Sequence, residues 1–90
     1  MYKVIYTSKA RKDLKNLDLK ITKRIIKKIK EYQETPDPLS FAKHLKNSIL
    51  GSYRFRIGDY RAIFDVDRDG NITILLILKI AHRKDIYNDT

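Results

Sequence analysis

The amino-acid sequence predicts a single α+β domain, spanning residues 1–90, in which a helical hairpin packs on one face of a small antiparallel sheet. Three observations predict this fold class. Apolar residues recur at helical spacing between residues 10 and 32, residues alternate in character between 53 and 64, and an almost continuous apolar run follows from 72 to 81. A helical pair followed by strands is typical of α+β domains, and 90 residues suffice for one core.

The first half of the chain is predicted to form one strand and two helices. Residues 2–6 favour a strand, and Thr7 or Ser8 can cap the helix that follows. Asp18 can cap a second helix, which two prolines end because proline disfavours helical geometry in the residue before it. Residues 39–50 give no clear pattern. The apolar face of the two helices consists of residues at helical spacing: Ala10, Leu14, Leu17, Ile21, Ile25, Ile29 and Tyr32.

The second half is predicted to form three strands joined by tight turns, so that the whole order is β-α-α-β-β-β. Residues 52–57 and 60–66 flank the Gly58-Asp59 pair, which suits a two-residue hairpin loop. The Asp69-Gly70 pair is a second turn signal, and residues 72–81 form a third strand. The apolar character of that strand places it inside the sheet. The remaining residues predict a short C-terminal helical turn or a polar tail.

Three arginines are predicted to gather on one face of the first hairpin. Side chains alternate along a strand, so Arg54 and Arg56 share one face while the aromatic residues beside them share the other. A two-residue loop pairs Arg56 with Arg61, and Arg54 with Ile63. Like charges directly opposite each other destabilise a hairpin. A cluster that works against folding indicates a binding site for a polyanion.

His82 is predicted to lie on the same side as these arginines. A two-residue loop at Asp69-Gly70 would place Arg61 beside Leu78, whose face His82 shares. A one-residue bulge would reverse that placement. Further candidates follow within a few positions: Arg83, Lys84 and Tyr87.

Composition narrows the range of functions. The chain has 20 Lys and Arg against 11 Asp and Glu, and its net charge of +9 favours a nucleic acid, an anionic membrane surface or an acidic protein as partner. With no cysteine and two histidines, disulfides are excluded, and neither a metal nor another cofactor is expected. No apolar run approaches transmembrane length, and no signal-peptide core precedes the first strand. We therefore expect a cytoplasmic protein without a membrane partner.

The predicted cluster suits cleavage of a phosphodiester in RNA. In that reaction the 2′-hydroxyl attacks the adjacent phosphorus, negative charge builds on the non-bridging oxygens, and the 5′-oxygen leaves. Guanidinium groups stabilise this charge and orient the phosphate. Histidine side chains in general titrate near neutral pH, so His82 is the candidate general acid, and an aromatic ring can stack on a base. An obvious general base is missing, because no glutamate follows Glu34.

Two segments of the chain resemble the RelE/ParE superfamily, the small toxins of prokaryotic toxin–antitoxin pairs. The first runs from Gly51 to Phe64, and the second, from Ile80 to Tyr87, holds a histidine–arginine pair followed closely by a tyrosine. The resemblance covers almost the whole chain, and the family fold has the order of elements predicted above. It also implies a cognate antitoxin, an acidic helical protein, with a toxin–antitoxin heterotetramer as one assembly.

Within the superfamily, RelE-like members are ribosome-dependent mRNA endonucleases, whereas ParE-like members inhibit DNA gyrase. RelE-like toxins carry a basic pair and a further arginine on the hairpin, an arginine after the last strand, and a tyrosine near the C-terminus. Some related nucleases also hold a catalytic histidine near the end of the sheet. The resemblance implies that these catalytic places are filled here by Arg54, Arg56, Arg61, His82, Arg83 and Tyr87.

The resemblance therefore implies an endoribonuclease that cleaves mRNA in the ribosomal A site, with the ribosome and mRNA as partners. Two alternatives stay open: a ParE-like gyrase inhibitor, and a non-catalytic relative that binds only RNA or its antitoxin. The candidate RNA-binding residues are the cations on or near this surface: Lys43, Lys46, Arg54, Arg56, Lys79 and Lys84.

The chain also departs from the family pattern. The best-known RelE-like toxins have lysine where this chain has Arg54 and Arg56, and arginine is not a base at physiological pH. Relatives with a glutamate base hold it upstream of the hairpin, where this chain offers Lys43 and Lys46. Charge stabilisation and alignment are therefore expected to be the main catalytic contributions.

Overall fold

The computed structural model describes residues 1–46 and 48–88, the last two of them by their backbone alone. It confirms the α+β class, with two long helices and a short C-terminal one around a five-stranded sheet. Within the described residues, no helix has the length and apolar character needed to cross a bilayer. The elements are β1 (Tyr2–Tyr6), α1 (Ser8–Lys15), α2 (Leu19–Gln33), a 3-10 helix (Pro38–Phe41), β2 (Ala42–His44), β3 (Tyr53–Ile57), β4 (Tyr60–Asp69), β5 (Ile72–His82) and α3 (Arg83–Asn88).

The sheet is built around a meander of three strands, and a further strand covers each of its edges. Its strand order is β1-β5-β4-β3-β2. β2 is an addition to the predicted order, formed where Ala42–His44 pairs with β3 inside the stretch that gave no clear pattern. β1 is parallel to β5, whereas the other neighbouring pairs are antiparallel. The apolar β5 lies inside the sheet, as its sequence predicts.

Each long helix begins at a cap that the sequence predicts. The Thr7 hydroxyl accepts a hydrogen bond from the backbone N–H of Ala10 at 3.1 Å, and the Asp18 carboxylate accepts one from Lys20 N–H at 2.9 Å. Such caps satisfy N–H groups that have no partner within the helix. The predicted apolar face is the one that packs on the sheet. Its buried members are Ala10, Leu14, Ile25 and Ile29.

Aromatic rings form the centre of the core. Phe55 of β3 and Phe64 of β4 are fully buried and stacked, with ring centroids 4.4 Å apart. Tyr32 of α2 packs on Phe55 at 4.8 Å and on Phe41 of the 3-10 helix at 4.9 Å. Aromatic pairs of this kind contribute roughly 0.5–1.5 kcal/mol each beyond the area that they bury. They hold α2 against the aromatic face of the hairpin and leave its arginine face open.

The carboxylate of Asp13 links α1 to β5. One oxygen accepts a hydrogen bond from the backbone N–H of Ile80 at 2.9 Å, and the other pairs with the ammonium of Lys9. β1 ends opposite Ile77, so at Ile80 it no longer pairs with β5 on that side. The carboxylate takes the place of the missing strand as hydrogen-bond acceptor.

We expect Asp13→Ala to lower the free energy of unfolding by about 1–3 kcal/mol, because it leaves the part-buried Ile80 N–H without its acceptor. Urea denaturation followed by circular dichroism measures the change. Lys9→Ala is the matched control, since it removes only an exposed ion pair worth about 0.3–0.5 kcal/mol. Equal losses for the two variants would show that the bond to β5 contributes nothing.

Candidate nucleic-acid interface

The β3–β4 hairpin has the predicted register. Arg56 pairs with Arg61, and Arg54 with Ile63, around a two-residue loop. The first loop residue, Gly58, has a φ of 59°, which glycine adopts without the steric cost that other residues meet. The three arginines therefore lie on one face of the sheet, opposite the aromatic core.

A depression of about 310 Å³ lies over these arginines. β2 contributes Lys43, which pairs with Arg54 and so shares its face. Among the described lining residues four side chains are cationic and none carries a carboxylate. Such a concentration of positive charge attracts phosphate groups, and a guanidinium can donate two parallel hydrogen bonds to one phosphate. We call this depression the arginine groove; its lining residues are Ser40, Phe41, Ala42, Lys43, Arg54, Arg56 and Arg61.

Arg61 differs from the other two arginines in its burial. Only 4% of Arg61 is exposed, whereas Arg54 is half-buried and Arg56 is exposed. One terminal nitrogen of Arg61 donates to the backbone oxygens of Gly58 and Tyr60, each at 2.9 Å. These bonds brace the hairpin loop, and they also stabilise the charge that lies opposite Arg56.

The turn between β4 and β5 lies one residue later than predicted. Its loop consists of Gly70 and Asn71, so that glycine takes the first loop position with a φ of 60°. A bulge in β5, where Leu78 is the extra residue, adds a further shift. Arg61 therefore pairs with Ala81 and not with Leu78.

The later turn moves the register by two residues and so keeps each face, whereas the one-residue bulge places His82 on the other face of the sheet. Its predicted position beside the arginines is therefore wrong. His82 pairs with Tyr60, and the two rings meet edge-on with centroids 5.3 Å apart. Its Nδ1 accepts a hydrogen bond from the backbone N–H of Lys84 at 3.2 Å. The physical reason is the two-residue period of a strand, in which a slip of one residue reverses the face of every side chain.

The predicted RNA-binding lysines are only partly brought together. Lys43 lines the arginine groove. Lys79 lies on the face of Arg54 by register but lines a separate depression beside β5. Lys46 is exposed in the turn after β2, and Lys84 is exposed on α3. A groove site made of all these lysines is therefore not what the structure shows.

Arg83 begins α3 next to the hairpin loop. Its backbone N–H donates to the backbone oxygen of Asp59 at 2.7 Å, and its Nε lies 3.7 Å from the Asp59 carboxylate. Ile86 is buried, which anchors α3 against the sheet. Tyr87 belongs to α3 by its backbone, but its side chain lies outside the described part of the structure.

The 3-10 helix supplies two lining residues that sequence reasoning did not single out, Ser40 and Phe41. Phe41 is half exposed at the rim of the groove, and it stacks on Tyr32. An aromatic residue three positions after Pro38 was the available signal. It was missed because a 3-10 helix has no apolar periodicity long enough to read.

Among the described residues, the ionisable side chains outside the arginine groove form no metal site. In the ranges that the structure describes, no three histidine or acidic side chains lie close enough together to hold a metal ion. Burial raises the pKa of the Tyr6 phenol to about 12. Tyr6 belongs to β1, at the edge of the sheet opposite β2, and is therefore remote from the arginine groove.

Comparison with known proteins identifies the family. Residues 4–87 match the family model of the ParE toxin of type II toxin–antitoxin systems, parDE. The chain is a toxin of the RelE/ParE superfamily. It is 33% identical over 89 residues to Toxin RelG of Mycobacterium tuberculosis, an alignment that covers 96% of this toxin and 95% of RelG. The superfamily that the two sequence segments implied is confirmed.

Solved structures share the toxin's fold. A chain of the toxin–antitoxin complex RelBE2 from Mycobacterium tuberculosis has a TM-score of 0.69 at 28% identity, over 91% of this toxin and 98% of that chain. A chain of the RelB–RelE antitoxin–toxin complex from Methanococcus jannaschii has a TM-score of 0.58 at 29% identity, over 93% and 95%. The YoeB/ParE toxin from Agrobacterium tumefaciens, at 20% identity over 89% and 97%, has a TM-score of 0.65.

We expect Arg61→Ala to destabilise the toxin by about 2 kcal/mol or more, because it removes two hydrogen bonds that a buried charged group donates to the hairpin backbone. Arg56→Ala, which changes an exposed side chain, is expected to stay within about 0.5 kcal/mol of the parent. Urea denaturation compares the two. Equal midpoints would contradict a structural role for Arg61.

Proposed function

We propose that the toxin is an endoribonuclease that cleaves mRNA in the A site of the ribosome and so inhibits translation. The observation that carries this proposal is the arginine groove. Lys43, Arg54, Arg56 and Arg61 face one depression, and no carboxylate is found among its described lining residues. That arrangement suits a phosphate whose charge increases during reaction.

The proposed reaction is a transesterification within the RNA strand, in which the phosphoryl group passes from the 5′-oxygen of one nucleotide to the 2′-oxygen of the nucleotide before it. The 2′-oxygen forms a bond to phosphorus while the bond from phosphorus to the 5′-oxygen breaks. The 2′-hydroxyl loses its proton to solvent water and the 5′-oxygen gains one, so the products are a 2′,3′-cyclic phosphate and a 5′-hydroxyl. Negative charge on the non-bridging oxygens is greatest in the transition state, where fixed cations lower the barrier.

The groove residues have distinct places in this scheme. Arg54 and Arg56 extend from alternate positions of one rigid strand and are proposed to hold the non-bridging oxygens. Arg61, held by the loop carbonyls, provides a fixed charge behind them. Lys43 is exposed and opposite Arg54, where its ammonium can donate a proton to the departing 5′-oxygen.

The arginine groove lacks a general base, and the ribosome is proposed to compensate by aligning the RNA for attack. Arginine does not act as a base at physiological pH, and no carboxylate is available among the described lining residues to take the 2′-proton. Alignment of the attacking oxygen with the breaking bond then carries more of the rate, and effective molarities from alignment alone reach about 10⁵–10⁸ M. We therefore propose that free RNA is a poor substrate.

The proposed protein partner is a cognate antitoxin. The solved structures most informative here are complexes of a toxin with its antitoxin. A net charge of +9 favours an acidic partner, and an acidic helix laid over the arginine groove would exclude RNA from it. Toxin activity would then depend on the amount of free antitoxin.

A second candidate function is inhibition of DNA gyrase. The observation that favours it is the match to a family model named for ParE, since ParE-like members of the superfamily inhibit that enzyme. A supercoiling assay with the same preparation separates the two candidates. Inhibition of gyrase without RNA cleavage would replace the proposed function, and no effect in either assay would favour a binding protein without catalysis.

We expect Arg56→Ala to lower the rate of mRNA cleavage by about 10²–10³-fold, as removal of one group that stabilises the transition state does elsewhere. Primer extension across a defined message on translating ribosomes measures the rate through new stops at the A site. Arg68→Ala is the matched control, because Arg68 is exposed at the far end of β4 and outside the groove. Similar rates for Arg56→Ala and the parent would remove the arginine groove from the mechanism.

We expect His82→Gln to keep most of the cleavage rate, because the histidine ring lies on the opposite face of the sheet from the arginine groove. The same primer-extension assay measures it. A loss as large as that of Arg56→Ala, in a variant with an unchanged unfolding midpoint, would instead restore the histidine as general acid.

A further inference from the structure

A second basic depression adjoins the arginine groove. Its volume is about 260 Å³, and it lies between α2 and the end of β3. α2 contributes residues three and four positions apart, which places them on one side of the helix. We call it the α2 groove; its lining residues are Arg24, Lys27, Lys28, Glu31, Arg56, Ile57 and Gly58.

Two structural links join the grooves around the edge of β3. The first is Arg56, which lines both. The second is Tyr32, which stacks on Phe41 at the rim of the arginine groove and lies 5.2 Å from the Lys28 ammonium on the other side. β2 ends before it reaches Arg56, so it does not separate the two grooves.

The cations of the α2 groove are available to a ligand. In the described part of the chain, Arg24, Lys27 and Arg56 are exposed and form no ion pair. Among the described lining residues Glu31 is the one carboxylate, and Lys28 neutralises it at 3.4 Å. The groove therefore keeps a net positive charge.

Arg24 is packed closely against the hairpin loop. A Cβ placed on Gly58 would lie 2.9 Å from a terminal nitrogen of Arg24, closer than real side chains approach. The absence of a side chain at Gly58 thus allows the guanidinium of α2 to reach the loop that Arg61 braces from the other face. Arg24 of the α2 groove and Arg61 of the arginine groove thus contact the same β3–β4 loop.

We propose that the α2 groove binds the phosphodiester backbone of the RNA strand whose reacting phosphate occupies the arginine groove, so that one strand crosses the edge of β3 past Phe41. The proposal rests on the proposed function. Phe41 is half exposed in the arginine groove, where it stacks on Tyr32. Cations that follow a backbone, with an aromatic ring on which a base can stack, are the arrangement that binds single-stranded RNA, whereas an acidic peptide needs no such ring.

The test compares binding of a short and a long RNA. Both are labelled 2′-O-methyl oligonucleotides, of about three and about ten nucleotides, which have no free 2′-hydroxyl to attack the phosphate and so cannot be cleaved. For Arg24→Gln/Lys27→Gln, fluorescence anisotropy should show about tenfold weaker binding of the long RNA. The slope of log affinity against log salt should fall by about 1.4, while binding of the short RNA stays unchanged.

The matched control is Lys23→Gln/Lys30→Gln, which removes the same charge from the same helix at exposed positions that line neither groove. Equal weakening by the two double variants would overturn the proposal, since only net charge would then matter. Weakening of the short RNA by the same factor as the long one would also overturn it.

Two further measurements test whether the α2 groove binds an acidic protein or ribosomal RNA in place of the proposed RNA strand. Loss of poly-glutamate binding with unchanged binding of the long RNA would assign the α2 groove to an acidic protein. Loss of co-sedimentation with ribosomes, again with unchanged oligonucleotide binding, would assign it to ribosomal RNA. Cleavage of mRNA without selective weakening of long-RNA binding in Arg24→Gln/Lys27→Gln would contradict this proposal alone. Selective weakening without cleavage of mRNA would contradict only the proposed function.

Discussion

The stacking of Phe55 on Phe64 decides on which side of the sheet every charge of the hairpin lies. Both rings are fully buried, and Tyr32 of α2 packs against Phe55. Because side chains alternate along a strand, burial of these rings places the intervening arginines on the opposite face. A slip of one residue would bury guanidiniums in the aromatic core, at a cost of several kcal/mol for each unpaired charge.

The burial of Arg61 makes the positive charge of the arginine groove compatible with folding. Directly opposed arginines repel each other, yet Arg61 turns its guanidinium to the carbonyl oxygens of Gly58 and Tyr60. The bonds that stabilise the loop thus also offset the repulsion. Arg56 is left exposed, so one member of the opposed pair contributes mainly to the fold and the other is available to a ligand.

Segregation of the two faces explains how so short a chain presents an extended basic surface. The helices cover one face of the sheet, and the 3-10 helix and β2 extend its far edge beside the arginines. α2 adds a second set of cations where β2 ends, with Arg56 shared between the two sets. A chain of 90 residues can therefore present cations on both sides of one strand edge while its aromatic residues form the core.

The sequence by itself determined the fold class, the helix caps, the hairpin register and the convergence of the three arginines, because each follows from local rules of period, capping and turn chemistry. Only the tertiary structure decided the pairing of β2, the burial of Arg61 and the face of His82. These depend on contacts between distant segments. The bulge in β5 that sets the position of His82 lies next to Ile80, whose N–H bonds to Asp13, 67 positions away in the chain. A hydrogen bond between positions so far apart leaves no local pattern in the sequence.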